Sequence, residues 1–392
     1  MRIESVDLFY LREPSVRDIA DGSQDALIVR VSSEGHEGWG ECEASPLTTL
    51  ASWCAPMSHA ACRPVQDALR GFDLRGPEDI RELNRNVRAG SLDLLQAPHM
   101  LSGLDSALWD LLGRAFDASV SELLGARETF PKRPYASILF GSNPEETERR
   151  GRECQAMGFN AVKFGWGPFG LDSVESDTQH LEAARAGIGD EATLLIDAGT
   201  VWRDDVEAAA TRLPALQEFG VYWLEEPFVS GALSAYSTLG QRSPMIRLAA
   251  GEGATDHHMV EQLVRYGEIS VVQIDAGRIG GPTTARDVAL MARQRGVEYV
   301  NHTFTSNLAL AASLAPYWDD PSSDLCEYPV HLSTLAEELT VERVKPDQDG
   351  RIAPPEGPGL GVRPDLEAIR RYLVDAEITV NGRVLYRTPS VD

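Results

Sequence analysis

From residue 133 onward the chain repeats one pattern eight times: a short, nearly continuous apolar run, then a longer stretch of helical periodicity. The apolar runs fall at 133–140, 160–164, 193–198, 221–227, 246–252, 270–276, 298–304 and 324–329. Short runs without polar alternation suit strands covered on both faces, as in a parallel sheet. Parallel neighbours need a crossover of a dozen or more residues, and the helical stretches supply it. Eight such units are the count of a (β/α)8 barrel. Closing the sheet into a ring gathers the C-terminal ends of all eight strands at one mouth. A residue type that recurs there, once per unit, must converge in space.

Such residues recur. Lys163, Asp197, Glu225, Glu252, Asp275, His302 and Glu327 each sit near the end of a candidate strand, at intervals of roughly 25 to 35 residues, the length of one βα unit. Taken singly, an acid after a strand is more often the N-cap of the next helix or a solvated loop charge. Seven in register are not explained that way. Asp197, Glu225 and Glu252 lie on successive strands with no His or Cys among them, a hard-oxygen donor set of the kind Mg2+ takes. Glu226 competes with Glu225, and alternation along a strand lets one of the two face the mouth. Asp275 and His302, on neighbouring strands, can pair so that the carboxylate orients the imidazole and raises its basicity as a base. His36, His257 and His258 lack such a setting and read as surface residues, His36 in a turn.

The first part of the chain reads differently. Strand-like segments at 2–11, 26–32 and 38–42, joined by a polar loop and a turn, predict a small antiparallel sheet. Helical periodicity follows at 77–89 and 97–116, the second with Leu101, Leu104, Leu108 and Leu112 on one face. This gives an α+β unit over residues 1–127, capping a (β/α) barrel over 128–355, with a C-terminal segment, 356–392, that packs back on the cap. Its end, 377–386, reads as a strand.

Charge narrows the partners. The sequence carries 36 Lys+Arg against 60 Asp+Glu, a formal net charge of −24. A chain this acidic repels nucleic-acid backbones and anionic membrane surfaces, so neither is an expected partner. With no long apolar run and no signal-peptide core at the N-terminus, the expected location is the cytoplasm. Five cysteines without a C-x-x-C pair indicate neither a disulfide framework nor a thiolate metal site.

The motifs Gly38-Trp-Gly-Glu41, Gly103-Leu-Asp-Ser-Ala-Leu-Trp-Asp110, Leu123-Leu-Gly125, Val162-Lys-Phe164, Leu195-Ile-Asp197, Trp223-Leu-Glu-Glu-Pro227, Ala250-Gly-Glu252, Asp275-Ala-Gly-Arg-Ile-Gly-Gly281, His302 and Glu327-Tyr-Pro329 together resemble the enolase superfamily, in its mandelate racemase/muconate lactonizing enzyme branch, from end to end. The resemblance implies a modified TIM barrel with an N-terminal cap, and one Mg2+ per site on Asp197, Glu225 and Glu252. It implies that Lys163 and the metal hold a substrate carboxylate as an enediolate, that a protonated Glu327 donates to the same oxygen, and that His302, oriented by Asp275, is the base. It also implies a homo-oligomer and a small carboxylate as substrate.

Two departures bear on the reaction. Racemases of this branch carry Lys-x-Lys on the second barrel strand, and here the second position is Gly165; a known variant places His two residues after the first metal ligand, and here that residue is Gly199. A single base on one face suits syn β-elimination of water, the reaction of the superfamily's acid sugar dehydratases, giving a 2-keto-3-deoxy acid. The runner-up is a racemase, epimerase or cycloisomerase whose second acid is Lys163 or a loop residue. From another class comes a metal-binding scaffold without turnover. For specificity, the cap loops 12–25 and 43–60 are expected over the mouth, with Arg17, Asp18, Trp53 and His59 as candidate pocket residues and Trp166 as a further one.

Overall fold

The computed structural model describes residues 1–18, 23–43 and 45–391. Strands β1 (Ser5–Arg12), β2 (Asp25–Ser33) and β3 (His36–Cys42) form an antiparallel sheet in that order. The β2–β3 turn is Glu34-Gly35, both with positive φ, 50° and 82°, the geometry that matches strand twist in a two-residue hairpin. His36 is therefore not in the turn: it pairs with Ser33, while remaining exposed as expected.

The helix Ala97–Phe116 has the bounds its periodicity predicts and lies across this sheet. Its approach explains the glycines of the first two motifs. A β-carbon at Gly38 would stand 2.1 Å from the Ala107 carbonyl oxygen, and one at Gly40 2.1 Å from that of Gly103. Two buried acids finish the joint. Asp110 accepts from the backbone N–H of Trp39 (2.9 Å) and Leu360 (2.8 Å), and Asp105 accepts from that of Thr283 (3.0 Å) in the barrel.

The barrel strands are β4 (Arg133–Leu139), β5 (Ala161–Gly165), β6 (Thr193–Asp197), β7 (Val221–Glu225), β8 (Arg247–Ala250), β9 (Val271–Asp275), β10 (Glu298–His302) and β11 (Leu325–Pro329). All eight are parallel, in the order β10-β9-β8-β7-β6-β5-β4-β11. One buried side chain from each strand builds the floor of the interior: Tyr135, Ala161, Leu195, Trp223, Ala249, Val271, Val300 and Leu325. Because side chains repeat with period two, the residue two places further on in each strand stands above that floor.

The seam between β10 and β11 is bridged by a side chain. The Asn301 amide donates to the Glu327 carbonyl oxygen (3.3 Å), and its oxygen accepts from the Glu327 N–H (3.0 Å). After β11 the expected eighth long helix is replaced by a single short one, Thr334–Glu338, and an extended segment.

The tail is a hairpin rather than one strand: β12 (Glu377–Val380) and β13 (Arg383–Arg387), turning at Asn381-Gly382, both with positive φ. It packs against the cap sheet through Tyr386, whose hydroxyl donates to the Leu8 carbonyl oxygen at 2.8 Å. Among the described residues no helix is long and apolar enough to cross a membrane.

Candidate active site

Five of the seven singled-out residues follow from the floor by period two. Lys163, Asp197, Glu225, His302 and Glu327 each stand two places beyond a floor residue. Asp275 is two places higher again on β9, above Gln273. Glu252 lies past the end of β8, and the chain reaches it through Gly251, at φ 131°. All seven are at or near full burial, and they meet at the mouth.

Carboxylate oxygens of Asp197, Glu225 and Glu252 lie within 4.8 Å of one another. Burial, partly offset by Lys163, raises Asp197 to about 6 and Glu225 to about 8. In Glu252 the burial cost is outweighed by His302 and Arg278, and its pKa falls. Three converging buried acids, offering oxygen alone, fit a small hard divalent cation, which would offset both their desolvation and their mutual repulsion.

Lys163 Nζ stands 2.7 Å from Glu225 Oε1 and 2.7 Å from Glu327 Oε1. Burial works against its charge, yet those two acids hold its pKa well above the ordinary lysine value. Glu327 Oε2 accepts from the Thr303 N–H at 2.9 Å. His302 Nδ1 pairs with Asp275 Oδ2 at 2.8 Å, as the spacing predicts, and its Nε2 faces Glu252 Oε2 at 3.1 Å. Burial opposes the imidazolium, but Glu252, Glu327 and Asp275 together raise its pKa to about 10.

Two expectations are corrected. Alternation was to turn Glu226 away from Glu225, but β7 ends at Glu225 and Glu226 follows with φ 39°. It is buried beside the same acids, and burial, then Glu252 and Asp197, raises its pKa far above the usual range. Glu225, not Glu226, joins the triad. The cap-loop candidates do not reach the pocket. Arg17 and Asp18 are exposed, Arg17 exchanging backbone hydrogen bonds with the Gln24 side chain (2.8 and 2.7 Å). Trp53 is core, and His59 pairs with Asp93 at the surface. Within those two loops, residues 19–22 and 44 lie outside the described residues.

The pocket above the site has a volume of about 220 Å3 and is lined by Lys163, Asp197, Glu252 and His302 together with Ser23, Glu43, Ser137, Arg278 and Phe304. Glu43 and Ser23 fall inside the predicted loops, at positions the sequence gave no reason to prefer, and Arg278 stands within the Asp275–Gly281 motif. Trp166 is at the rim, 46% exposed, with φ 53°. Its ring covers Gly199, where a β-carbon would come within 2.9 Å of Cε2; one at Gly165 would stand 3.1 Å from Asp197 Oδ2. In the eight-strand ring β6, which leads to Gly199, is four places from β10, which carries His302.

Residues 146–369 match the family model of the enolase C-terminal domain-like fold, and residues 16–125 that of the mandelate racemase/muconate lactonizing enzyme N-terminal domain. The chain is 30% identical to a D-galactarolactone cycloisomerase of Agrobacterium fabrum, over 90% of this chain and 92% of that one. It is 29% identical to a D-galactonate dehydratase of Ralstonia nicotianae, over 84% and 86%. Among solved structures it matches one from Rhodobacter sphaeroides, described as a predicted mandelate racemase, with TM-score 0.96 and 52% identity, over 99% of this chain and 100% of that one.

Proposed function

The chain belongs to the enolase superfamily, in its mandelate racemase/muconate lactonizing enzyme branch, and from that premise we propose that it is a Mg2+-dependent dehydratase of a sugar acid, an aldonate or aldarate. The observation that carries the reading is the asymmetry of the mouth. His302, backed by Asp275, is the acid/base on one side, and across the ring the places where a second base stands in racemases hold Gly165 and Gly199 under the Trp166 ring.

Lys163 holds one oxygen of the substrate carboxylate with its charge, and Glu327 lies beside Lys163 to share in the hydrogen bonding. Asp197, Glu225 and Glu252 would hold the metal. When bound, Mg2+ supplies positive charge to that carboxylate and takes up the Glu252 charge that otherwise stays on His302. His302 Nε2 then accepts the α-proton, with Asp275 holding the ring's orientation through Nδ1. The C–H electron pair forms the Cα–Cβ double bond as the Cβ–O bond breaks. The departing hydroxyl leaves on the same face and takes the proton back from His302 as water. The enol that remains tautomerises to a 2-keto-3-deoxy acid.

With Mg2+ and a panel of sugar acids, the expected outcome is a semicarbazide-reactive 2-keto product, reduced about 10³-fold in His302→Asn, within the range for loss of a general base. Full activity in that variant would remove His302 from the role. The one-base site also favours a second reading, cycloisomerisation, in which a ring oxygen rather than hydroxyl leaves from Cβ. The relative named a D-galactarolactone cycloisomerase supports it. A keto product from a sugar-acid lactone, and none from the open-chain acids, would select it. Deuterium from solvent appearing in recovered substrate of inverted configuration would instead select epimerisation.

A further inference from the structure

We propose that Glu43 and Arg278 form the part of the pocket that reads the substrate beyond its reacting carbons, and that they select a sugar acid with a hydroxylated tail, an aldonate, over the matching dicarboxylate, an aldarate. The inference rests on the sugar-acid reading above.

Arg278 links the two halves of the pocket. Its Nη1 stands 3.3 Å from Glu252 Oε1, in the carboxylate triad, and its Nη2 stands 3.3 Å from Glu43 Oε1, on the cap. Glu43 is thus one guanidinium away from the place where the reacting carboxylate is held. Both contacts are long beside the ~2.7–2.9 Å of a tight charge-assisted bond, and a guanidinium has about five N–H donors to offer. Donors therefore remain for a ligand. Glu43 is fixed from two directions: its backbone N–H donates to the Gly277 carbonyl oxygen at 3.1 Å, and Ser23 Oγ donates to its Oε1 at 3.2 Å. Its other oxygen, Oε2, is buried without a hydrogen-bond partner among the described residues.

The pair carries no net charge and sets acceptor beside donor. A hydroxyl does both, donating to Glu43 and accepting from Arg278. A second carboxylate has no proton for Glu43, leaves that buried oxygen unpaired and adds a like charge beside it.

The test compares D-gluconate with D-glucarate and D-galactonate with galactarate, pairs that differ at the carbon far from the reacting carboxylate. In the Mg2+-loaded wild type the aldonate is expected to have at least a tenfold higher kcat/KM. Glu43→Gln, which removes the negative charge and keeps the shape, should lower that value about tenfold, through KM, and narrow the aldonate-to-aldarate ratio at least fivefold. Glu43→Asp should keep the ratio. Calorimetric binding of the same pairs to His302→Asn with Mg2+ should show the same order of affinity. A wild type that prefers aldarates, a ratio unmoved by Glu43→Gln, or absence of aldonate binding overturns the proposal. Turnover with the reversed preference removes this selectivity and leaves the dehydratase reading standing; aldonate-selective binding without any keto product does the opposite.

Discussion

Asn301 carries a backbone's task with a side chain. It occupies the seam where β10 and β11 would otherwise lack a rung, satisfies both the N–H and the C=O of Glu327, and accepts at 2.8 Å from the Tyr317 hydroxyl. Glu327 in turn touches Lys163. Asn301→Leu keeps the volume but leaves the Glu327 N–H and the Tyr317 hydroxyl unpaired in the interior, each a cost of about 1–3 kcal/mol. Urea melts should show a destabilisation in that range or above it, and kcat should fall because Glu327 and Lys163 lose their common anchor. Asn301→Asp restores the acceptor without the donor and should lie between. A wild-type melt for Asn301→Leu would mean the seam is held elsewhere. Residues like this mark the limit of sequence reading. The seven chemistry-bearing residues were legible because the barrel repeats them once per unit, so register substituted for geometry. Asn301, Glu43 and Arg278 act across the fold, on partners far away in the chain, and no local pattern singles them out. The wrong cap candidates, Trp53 and His59, were chosen by residue type alone.

The helix Ala97–Phe116 shows how far an element can be read. Its bounds follow from periodicity, since it is buried along nearly its whole length. The acids within it do not look unusual until burial is known. Asp105 sits between cap and barrel, and burial, against its hydrogen bonds to Thr283 and Asn84, raises it to about 7; Glu41 on β3, hydrogen-bonded to Ser306 of the barrel, is likewise raised by burial to about 7. A carboxyl whose folded pKa lies above its unfolded value binds the extra proton in the folded state. Its stabilising effect is complete below the unfolded pKa, near 4, and is lost as pH rises through 7. The melting temperature should therefore fall between pH 5 and 8, with a slope of up to about 1.4 kcal/mol per pH unit for each group. Asp105→Asn, which keeps an acceptor for the Thr283 N–H, should flatten that slope; an unchanged slope would assign it to other groups. At this scale the misreadings have one cause each. The tail was read as a single strand although Asn381-Gly382 is a strong hairpin signal. The last barrel unit was read as complete because its strand was, while the segment after it forms only Thr334–Glu338 and extended chain.

For the molecule as a whole the question is how a net charge of −24 divides between surface and site. Three lysines stand against 33 arginines, and two of the three, Lys132 and Lys163, are buried. Positive charge at the surface is therefore almost all arginine, much of it already paired with neighbouring acids. Exposed pairs are worth about 0–1 kcal/mol each and are short-ranged. Repulsion among the excess acids is long-ranged, and salt shortens it from a Debye length of about 30 Å at 0.01 M to about 8 Å at 0.15 M. NaCl over that range should raise the melting temperature, by screening alone. Mg2+ should act in a second way. At 1 mM MgCl2, against NaCl of the same ionic strength, the wild type should gain several degrees more, because a ligand bound to the folded state stabilises it by RT ln(1 + [L]/Kd), about 2.7 kcal/mol at a hundredfold excess over Kd. Asp197→Asn removes one carboxylate of the triad and little of the total charge. It should keep the NaCl response and lose the Mg2+ increment. An increment that survives in Asp197→Asn would place magnesium on the diffuse acidic surface and not at the mouth, and the charge that draws a sugar acid in would then have to come from Lys163 and Arg278 alone.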